Sequence, residues 1–585
     1  MHTGPMSRDR RMAAVLVLAA LIPFVVLAVR LIGRNYVALN GDDALINLRV
    51  HDVFTAHTPL LGSYERYGFN QPGPAWFYLL SIPFRVLGSR FSAIQVGVVF
   101  VHAASVVLVA RVMWRRFGMI AMAWSLLVLT AVFWGLGPVS TTDPWEPHVS
   151  AVLLITTAVL AFDAISGGLA AWVWLVVVAS LTTEMYATAG VIAIALVLWG
   201  MVIGFVRRAR AAEPQRAAPW RDLAISAAVG VVLWLAALVE QFRDHPGNLT
   251  RTWRFTTASH VTIGLRHAFG ALRLETWFPA VWLGRSVPLV PFATTVDVGR
   301  APWFPGSIIV LAIVAIVAWR RRAVPQLLLV ATVVFAALIT VVALSRLSLP
   351  FYIWLVDPTR SAGALLWLPV GTLAALVTSA RARSWITAVV AVGVVVFSVV
   401  FAVRAARDDL GPGRVQIALG KLARAAEPAL RHGSGPVIVH SDVGDQLFAQ
   451  SNFGHDELTV DFGLAGFDVV SGSKSGDRDA TTRFGAFRAH PERATRELLI
   501  QVAGAKVPAQ GRIVATADPL TRSERTMQAE LRREVEGVCG IGDLQVLRRC
   551  RDQHAQVGPW LDRLNSIPDL PALQLVLSSV ATPAA

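Results

Sequence analysis

Long apolar runs separated by short arginine-rich loops recur from residue 12 to residue 402, and they constrain the fold more than any other feature. A membrane-spanning helix needs about 20 apolar residues, and cytoplasmic loops collect Arg and Lys. The chain is 55% hydrophobic and only 16% charged, whereas soluble domains carry about 25% charged residues. The sequence therefore predicts a polytopic α-helical membrane protein.

Reading the runs and loops together predicts about eleven transmembrane helices with a cytoplasmic N-terminus in the cell membrane. The spans are expected near 12–32, 91–112, 119–136, 149–162, 169–181, the run before 207, 223–239, the run before 320, 327–344, the run before 381, and 384–402. The first run exceeds the apolar part of a signal peptide and no cleavage site follows it, so a retained anchor is expected. The apolar segment 71–88 is short and contains proline, and it is predicted to be an interfacial helix with Trp76, Phe77 and Tyr78 at headgroup level.

An odd number of spans would place the region after Arg404 outside the cytoplasm. We expect a membrane catalytic domain over 1–404 and an extracytoplasmic α/β domain over 405–585, which is long enough for its own core. PVIVHSD and RIVATADP resemble strands, whereas ATRELLIQVA and SERTMQAELRREV have helical periodicity. Cys539 and Cys550 lie in this domain and are predicted to form a disulfide, because disulfides form on that side of the membrane.

The charge pattern excludes several classes of function. The net charge is +15, but the basic residues mostly separate apolar runs rather than cluster with aromatic residues, so no nucleic-acid partner is expected. The sequence contains no G-x-x-x-x-G-K-[ST], H-E-x-x-H or G-x-S-x-G motif. ATP-driven transport, zinc proteolysis and serine hydrolysis therefore lack support.

The stretch NGDDALINLR carries an adjacent acidic pair, Asp42 and Asp43, directly after the first apolar run. On a helix, Asp42 shares a face with Arg49. Carboxylates in a first helical turn also stabilise the helix dipole and cap free N–H groups, so a purely structural role stays open. Because Asn40 already supplies a cap, a catalytic role is the other interpretation.

A second polar cluster, DPWEPH, contains Asp143, Trp145, Glu146 and His148. Carboxylates and an imidazole within six residues can bind a sugar, and Asp143, Glu146 and His148 could also ligate a divalent cation. A proline-rich turn at the start of the next span explains the same residues.

The loop after the seventh expected span has an excess of arginine, with seven Arg between residues 243 and 300. Its candidate substrate-binding residues are Glu240, His245, Asn248 and Arg254. An arginine surplus beside a membrane suits a phosphate ligand, and it equally suits contact with anionic headgroups. Glu184 and Arg360 lie at expected helix ends, where charges act as binding residues or as interfacial anchors.

These features together resemble the GT-C superfamily of polytopic glycosyltransferases, which use polyprenyl-phosphate sugars. GDDALINLR is similar to the acidic motif of the first loop in protein O-mannosyltransferases, lipid A aminoarabinose transferase and actinobacterial arabinofuranosyltransferases. FNQPGPAWFYLLSIPFRVLG resembles the segment that often reads His-Pro-Pro before an aromatic run, although Gln71 and Gly73 depart from it. The resemblance covers about residues 12–376.

The resemblance implies a sugar transfer at the outer face of the membrane. Asp42, assisted by Asp43, would be the base that takes the acceptor proton, and Arg254 and Arg360 would hold the leaving phosphate. It implies a polyprenyl-phosphate sugar donor and an envelope glycan, lipid or protein acceptor. No cofactor is certain, and a divalent cation stays an open alternative.

Two other functions remain open at the level of sequence. A transporter or flippase of a lipid-linked glycan would need ionisable residues near span centres. A non-catalytic envelope assembly protein would need none of these side chains for chemistry.

Overall fold

The computed structural model describes residues 8–34, 39, 41–65, 67–210, 219–258, 260–288, 295–300, 306–411, 413–443, 448–471, 488, 490–540, 550, 553–554, 556–566 and 570–579. Its contacts divide the chain into two units. The membrane unit comprises residues 1–35 and 49–410, and the second unit comprises 36–48 and 411–585. Helix α2 (Gly41–Asp52) therefore begins in the second unit and ends in the membrane unit.

The membrane unit is almost entirely helical. Its other helices are α1 Arg8–Leu31, α3 Ala75–Val86, α4 Phe91–Phe117, α5 Met119–Thr142, α6 Glu146–Ser166, α7 Leu169–Met185, α8 Ala187–Ala209, α9 Pro219–Leu233, α10 Leu235–Arg243, α11 Asn248–Thr257, α12 Gly264–Thr276, α13 Gly306–Arg320, α14 Val324–Ser345, α15 Asp357–Leu365, α16 Leu368–Val377 and α17 Ala380–Arg407. A two-stranded antiparallel hairpin, β1 Tyr64–Glu65 and β2 Phe69–Asn70, precedes α3.

Among the described residues, eight helices are long and apolar enough to cross a membrane, and a ninth span results if α9 and α10, bent by 59°, count as one. The remaining two expected spans coincide with α7 and α13, which have only 17 and 15 residues. The multi-pass membrane architecture is confirmed, whereas the count of eleven spans is not, because hydropathy locates apolar helices but does not fix whether a short one crosses the bilayer.

Helix α3 forms where the short apolar segment was expected, and two of the three aromatic residues expected at headgroup level face the protein interior; their depth in the membrane stays a prediction. Trp76 and Phe77 are each only 1% exposed, and Trp76 Nε1 donates to the Pro144 carbonyl oxygen at 2.9 Å. Leu79, Ile82 and Val86 are the exposed apolar side chains of this helix. Hydropathy alone could not distinguish the two faces, because both are apolar.

Helix α5 is kinked near its end, and this kink sets the direction of the polar segment that follows. Gly137 has φ 78°, which favours glycine, and Pro138 follows it. Arg404 of α17 lies over the Trp134 ring at 5.1 Å and donates to the Trp134 carbonyl oxygen at 3.1 Å. These contacts hold α17 against the kinked end of α5.

The second unit contains an α/β domain around a five-stranded sheet, as expected. Its elements are α18 Arg414–Arg431, β3 Val437–Asp442, α19 Phe448–Leu464, β4 Val469–Val470, β5 Arg496–Val502, β6 Arg512–Ala517, α20 Arg522–Cys539, α21 Val557–Ser566 and β7 Leu573–Ser579. The strand order is β4-β3-β5-β7-β6, with β3 parallel to β4 and β5, and β7 antiparallel to β5 and β6. Apolar side chains of α18 pack on the sheet.

Two predictions about this domain have different outcomes. The helix expected at ATRELLIQVA is wrong, because Arg496–Val502 is the middle strand of the sheet. A short apolar run fits both periods, and here pairing with β3 and β7 decides the outcome. The disulfide between Cys539 and Cys550 is confirmed.

Candidate functional site

Four charged side chains form a chain of contacts at the ends of three helices of the membrane unit, and we call them the open network. Nδ1 of His148, on α6, is hydrogen-bonded at 3.0 Å to Oδ2 of Asp143, the residue that follows α5. On the other side of the ring, His148 Nε2 lies 3.8 Å from Asp357 Oδ2 of α15. Arg360 Nε lies 3.1 Å from Asp357 Oδ1. The network therefore alternates acidic and basic groups.

Local sequence explains how these groups meet. Asp357 and Arg360 are three residues apart on α15, so they lie on one helical face. Asp143 also accepts from the Trp145 N–H at 3.0 Å, which orders the turn between α5 and α6 and directs His148 toward Asp143.

The open network is partly buried, and not all of its polar atoms are hydrogen-bonded. Asp357 is 2% exposed, and its Oδ2 makes no hydrogen bond to any residue that the structure describes. Such an atom costs free energy unless a ligand or water pairs with it. A substrate hydroxyl or phosphate hydrogen would satisfy it.

A buried carboxyl, Glu275 of α12, contacts the helix that carries Asp357 and Arg360. Its two oxygens accept from the Trp282 N–H at 2.9 Å and from Thr359 Oγ1 at 3.3 Å. Burial raises the pKa of Glu275 to about 7, and the Arg360 charge acts in the opposite direction. Glu275 therefore links α12 to the helix that carries Asp357 and Arg360.

Aromatic rings border the open network. The Trp145 ring lies edge-on to His148 at 5.3 Å and to Trp354 at 5.8 Å, and Trp354 stacks on Tyr352 at 4.5 Å. Such faces can pack on the apolar face of a sugar ring, which agrees with the expected role of Trp145.

Asp143, Glu146 and His148, which the sequence left open as ligands of a divalent cation, do not converge in the structure. Glu146 is 5% exposed and accepts a hydrogen bond from Ser63 Oγ, while the His148 ring lies between Asp143 and Asp357. Among the described residues, no group of three or more His, Cys, Asp or Glu side chains is arranged to hold a metal ion. Proximity in sequence placed Asp143, Glu146 and His148 together, but a turn of helix directs Glu146 elsewhere.

Glu184, expected to bind substrate, caps a helix with one carboxylate oxygen, while its Oε1 makes no hydrogen bond to any described residue, so its binding role stays a prediction. It is fully buried at the end of α7, and its Oε2 accepts from the Ala75 N–H at the start of α3 at 3.2 Å. In return, Gln71 Oε1 accepts from the Ala187 N–H at the start of α8 at 2.8 Å. A Cβ at position 73 would overlap the Glu184 carboxylate, so Gly73 is required. Gln71 and Gly73, which depart from the His-Pro-Pro pattern, both lie in this arrangement.

Glu240 and Asn248 also have a structural role, in what we call the closed network with Asn70. The Asn248 N–H donates to both Glu240 oxygens at 3.1 and 2.9 Å. The Asn248 side chain accepts from the Asn70 N–H and donates to the Asn70 carbonyl oxygen, each at 2.8 Å. Arg251 pairs with Glu240 at 3.1 Å. These bonds join the α10–α11 turn to β2.

The remaining candidates of that loop lie at the surface. His245 and Arg254 are exposed. Neither joins the open network through a contact among the described residues, so their expected binding roles stay predictions.

The acidic pair of the first loop lies in the second unit. Asp42 and Asp43 occupy the first turn of α2 and are half-buried, while Asn40 lies outside the described residues. Within this unit, burial and the charges of Asp461 and Asp43 raise the pKa of Glu457 well above its usual value. Arg49, at the other end of α2, lies 3.8 Å from Asp52. The roles predicted for Asp42, Asp43 and Arg49 stay predictions.

Sequence reasoning missed Tyr186 and the importance of Asp357. Tyr186, between α7 and α8, is 5% exposed, and burial together with the charges of Glu65 and Asp357 raises the pKa of its hydroxyl. Asp357 was visible only as a neighbour of Arg360. The signal for Tyr186 was its position two residues after Glu184 at an expected helix end.

No family model matches the sequence, and no curated protein matches it. Among solved structures, ArnT from Cupriavidus metallidurans in the apo state is similar with a TM-score of 0.51 and 14% identity, covering 86% of this chain and 96% of that chain. The same protein bound to undecaprenyl phosphate gives a TM-score of 0.50 with the same identity and coverage. The Archaeoglobus fulgidus oligosaccharyltransferase in the apo form is more distant, with a TM-score of 0.45 and 11% identity over 98% of this chain and 89% of that one. At these identities the likeness establishes the fold alone: the chain has a fold similar to that of ArnT.

Proposed function

We propose that this chain is a membrane glycosyltransferase that moves a sugar from a polyprenyl-phosphate donor to an envelope glycan, lipid or protein. The observation that carries the proposal is the open network, a partly buried set of two carboxylates, an imidazole and a guanidinium in which one carboxylate oxygen of Asp357 makes no hydrogen bond to any described residue. It lies in a fold shared with ArnT, a protein solved with undecaprenyl phosphate bound.

The proposed reaction is a single inverting displacement. The acceptor hydroxyl oxygen forms a bond to the anomeric carbon while the bond from that carbon to the phosphate oxygen breaks. The hydroxyl proton passes to the carboxylate of Asp42, with Asp43 orienting the acceptor or sharing the role. The polyprenyl phosphate leaves with the bonding electrons and gains negative charge.

The leaving phosphate needs a cation, and Arg360 is our choice. A guanidinium offers two parallel N–H donors to phosphate oxygens, and in a buried site that attraction is stronger than in water. His148 lies between the two carboxylates and places its imidazole beside Arg360. Arg254 stays a candidate on the exposed part of the loop.

The reaction is proposed to occur at the outer face of the cell membrane, with the N-terminus in the cytoplasm and the second unit outside. The support is the distribution of arginine between successive apolar helices. Thiol labelling of Ala529→Cys in intact cells tests this orientation, because both natural cysteines are in the disulfide. Labelling only after permeabilisation would contradict it.

The assignment of the base is tested by Asp42→Asn and Asp43→Asn in parallel, assayed with a panel of polyprenyl-phosphate sugars. Asparagine keeps the shape and capping ability but accepts no proton, so loss of the base should lower turnover by about 10²–10⁴-fold. Melting temperature and binding of undecaprenyl phosphate should not change.

The structural interpretation of the acidic pair gives the opposite result. If the two residues only cap α2, both asparagine variants should retain near-normal turnover. That outcome would remove Asp42 and Asp43 from the mechanism, whereas failure of both variants to fold would be detected by the melting temperature and corrected with Asp42→Ser, a cap without a carboxylate.

A further inference from the structure

Helix α10 carries an apolar stripe that does not end where the helix ends. Leu235, Val239 and Phe242 are 57%, 46% and 78% exposed, and their spacing of four and three residues places them on one face. On the following helix α11, Trp253 is 70% exposed. The bent pair α9–α10 is together long and apolar enough to cross a membrane. Its exposed apolar surface thus continues into the loop that follows α10.

Helix α12 presents a second apolar surface of the same loop. Leu265 and Phe269, one turn apart, are 64% and 51% exposed. The opposite side of α12, at Ala268 and Leu272, packs on the membrane-spanning helix α14. On α14 itself, the apolar side chains that face outward are exposed in the same way: Leu338 is 61% and Val342 is 49% exposed.

These exposed side chains would be costly in water. Large contiguous apolar patches on a protein surface mark a membrane or a protein partner. Here the patches adjoin the outward-facing surfaces of two transmembrane segments, and such surfaces contact lipid. Continuity with those surfaces favours the bilayer over a protein partner.

Charged residues at the edge of the patches identify the kind of lipid. Arg243 follows Phe242 at the end of α10, and Arg266 follows Leu265 on α12; both arginines are exposed. Asp244 is the exposed acidic residue beside them. Apolar and aromatic residues next to arginines are typical of helices that lie in the membrane interface and contact anionic headgroups.

We propose that the end of α10, α11 and α12 form a membrane-surface platform that inserts Phe242, Trp253, Leu265 and Phe269 at headgroup depth and binds anionic phospholipids through Arg243 and Arg266. The closed network, which joins the α10–α11 turn to β2, fixes this platform to the rest of the membrane unit. The inference does not depend on the proposed transfer reaction.

Depth-dependent quenching tests the insertion. Phe242→Cys and Leu265→Cys, each carrying a fluorescent thiol label, are placed in nanodiscs whose lipids bear a nitroxide at the headgroup or deep in the acyl chain. Leu198→Cys on α8, a position 59% exposed on a span, is the bilayer control, and Ala529→Cys on the exposed side of α20 is the water control. Both natural cysteines are disulfide-bonded and take no label.

We expect the headgroup nitroxide to quench labels at 242 and 265 at least about twofold more than the label at 529, as helices at interfacial depth require. The deep nitroxide should quench the label at 198 most. Quenching at both 242 and 265 equal to that at 529 would overturn the proposal, and since the two sites lie on different helices, misfolding of one variant leaves the other as a test.

The choice of lipid is tested separately. Replacing phosphatidylcholine with phosphatidylglycerol should increase headgroup quenching at 265, and Arg243→Gln with Arg266→Gln should abolish that increase, as should high salt. Strong quenching at 265 that is equal in phosphatidylcholine and phosphatidylglycerol would overturn the assignment of anionic phospholipid as the ligand.

Discussion

The two polar networks of the membrane unit differ in how completely their carboxylate oxygens are hydrogen-bonded. In the closed network, both oxygens of Glu240 and both side-chain polar atoms of Asn248 have hydrogen-bond partners. In the open network, Asp357 Oδ2 has no hydrogen bond among the described residues, and the His148 Nε2 nearest to it is 3.8 Å away. Both networks were expected to bind substrate.

This difference indicates which of the two networks is able to bind a ligand. The side-chain atoms of Glu240 and Asn248 are all hydrogen-bonded, so these two residues stabilise one conformation and have no free atom to offer a ligand, although Arg251 Nε beside them makes no hydrogen bond to any described residue. A partly paired network costs stability, and strained or unsatisfied groups concentrate at functional sites. We therefore assign positioning of the loop to the closed network and ligand binding to the open one.

The largest expected effect is on turnover. Arg360→Gln removes the cation proposed to hold the leaving phosphate, and loss of one such donor costs about 10²–10³-fold in kcat. This variant leaves the buried Asp357 without its neighbouring guanidinium, which should lower the melting temperature. The double variant Arg360→Gln with Asp357→Asn is the control, because it should recover the melting temperature without recovering turnover. Normal kcat in either variant would remove Arg360 from the site.

Disruption of the closed network should act on stability instead. Asn248→Ala leaves the buried N–H and carbonyl groups of Asn70 without their partner, and an unsatisfied buried group costs about 1–3 kcal/mol. The melting temperature in detergent should fall, while kcat per folded molecule stays within about twofold, since no catalytic group is lost. A fall in kcat as large as that of Arg360→Gln would erase the distinction between the networks.

The pH dependence of stability should reveal Glu275. Its pKa in the folded chain is raised to about 7, so the fold favours the protonated form, and stability is highest below the unfolded pKa and falls as pH rises toward 7. Glu275→Gln, which stays neutral, should lose less stability than the parent chain between pH 5 and 7. An identical fall in both melting curves would show that Glu275 does not titrate in this range.

The smallest effect is expected at the paired helix caps. Glu184→Ala and Gln71→Ala each remove one acceptor from a helix start, which costs about 1 kcal/mol. Glu184→Gln keeps an acceptor oxygen and should cost less. Loss of activity in Glu184→Gln at unchanged melting temperature would return Glu184 to the list of binding residues.

What the sequence could predict depended on the distance between partners along the chain. Asp143 and His148 were close in DPWEPH, and Asp357 and Arg360 are three residues apart, so each half of the open network was visible separately. The contact between the two halves, and the hydrogen bond from Ser63 to Glu146, depend on the packing of segments that are far apart in sequence. Strand β5 was mistaken for a helix for the same reason, since its pairing with β3 and β7 is not encoded locally.

The most direct test is a cryo-electron microscopy structure of the chain in nanodiscs containing undecaprenyl phosphate. If Arg360 holds the leaving phosphate, phosphate density should lie within hydrogen-bond distance of its guanidinium and beside His148, with the closed network unchanged. Phosphate density bound elsewhere, or an Arg360 still paired only with Asp357 at saturating lipid, would contradict it.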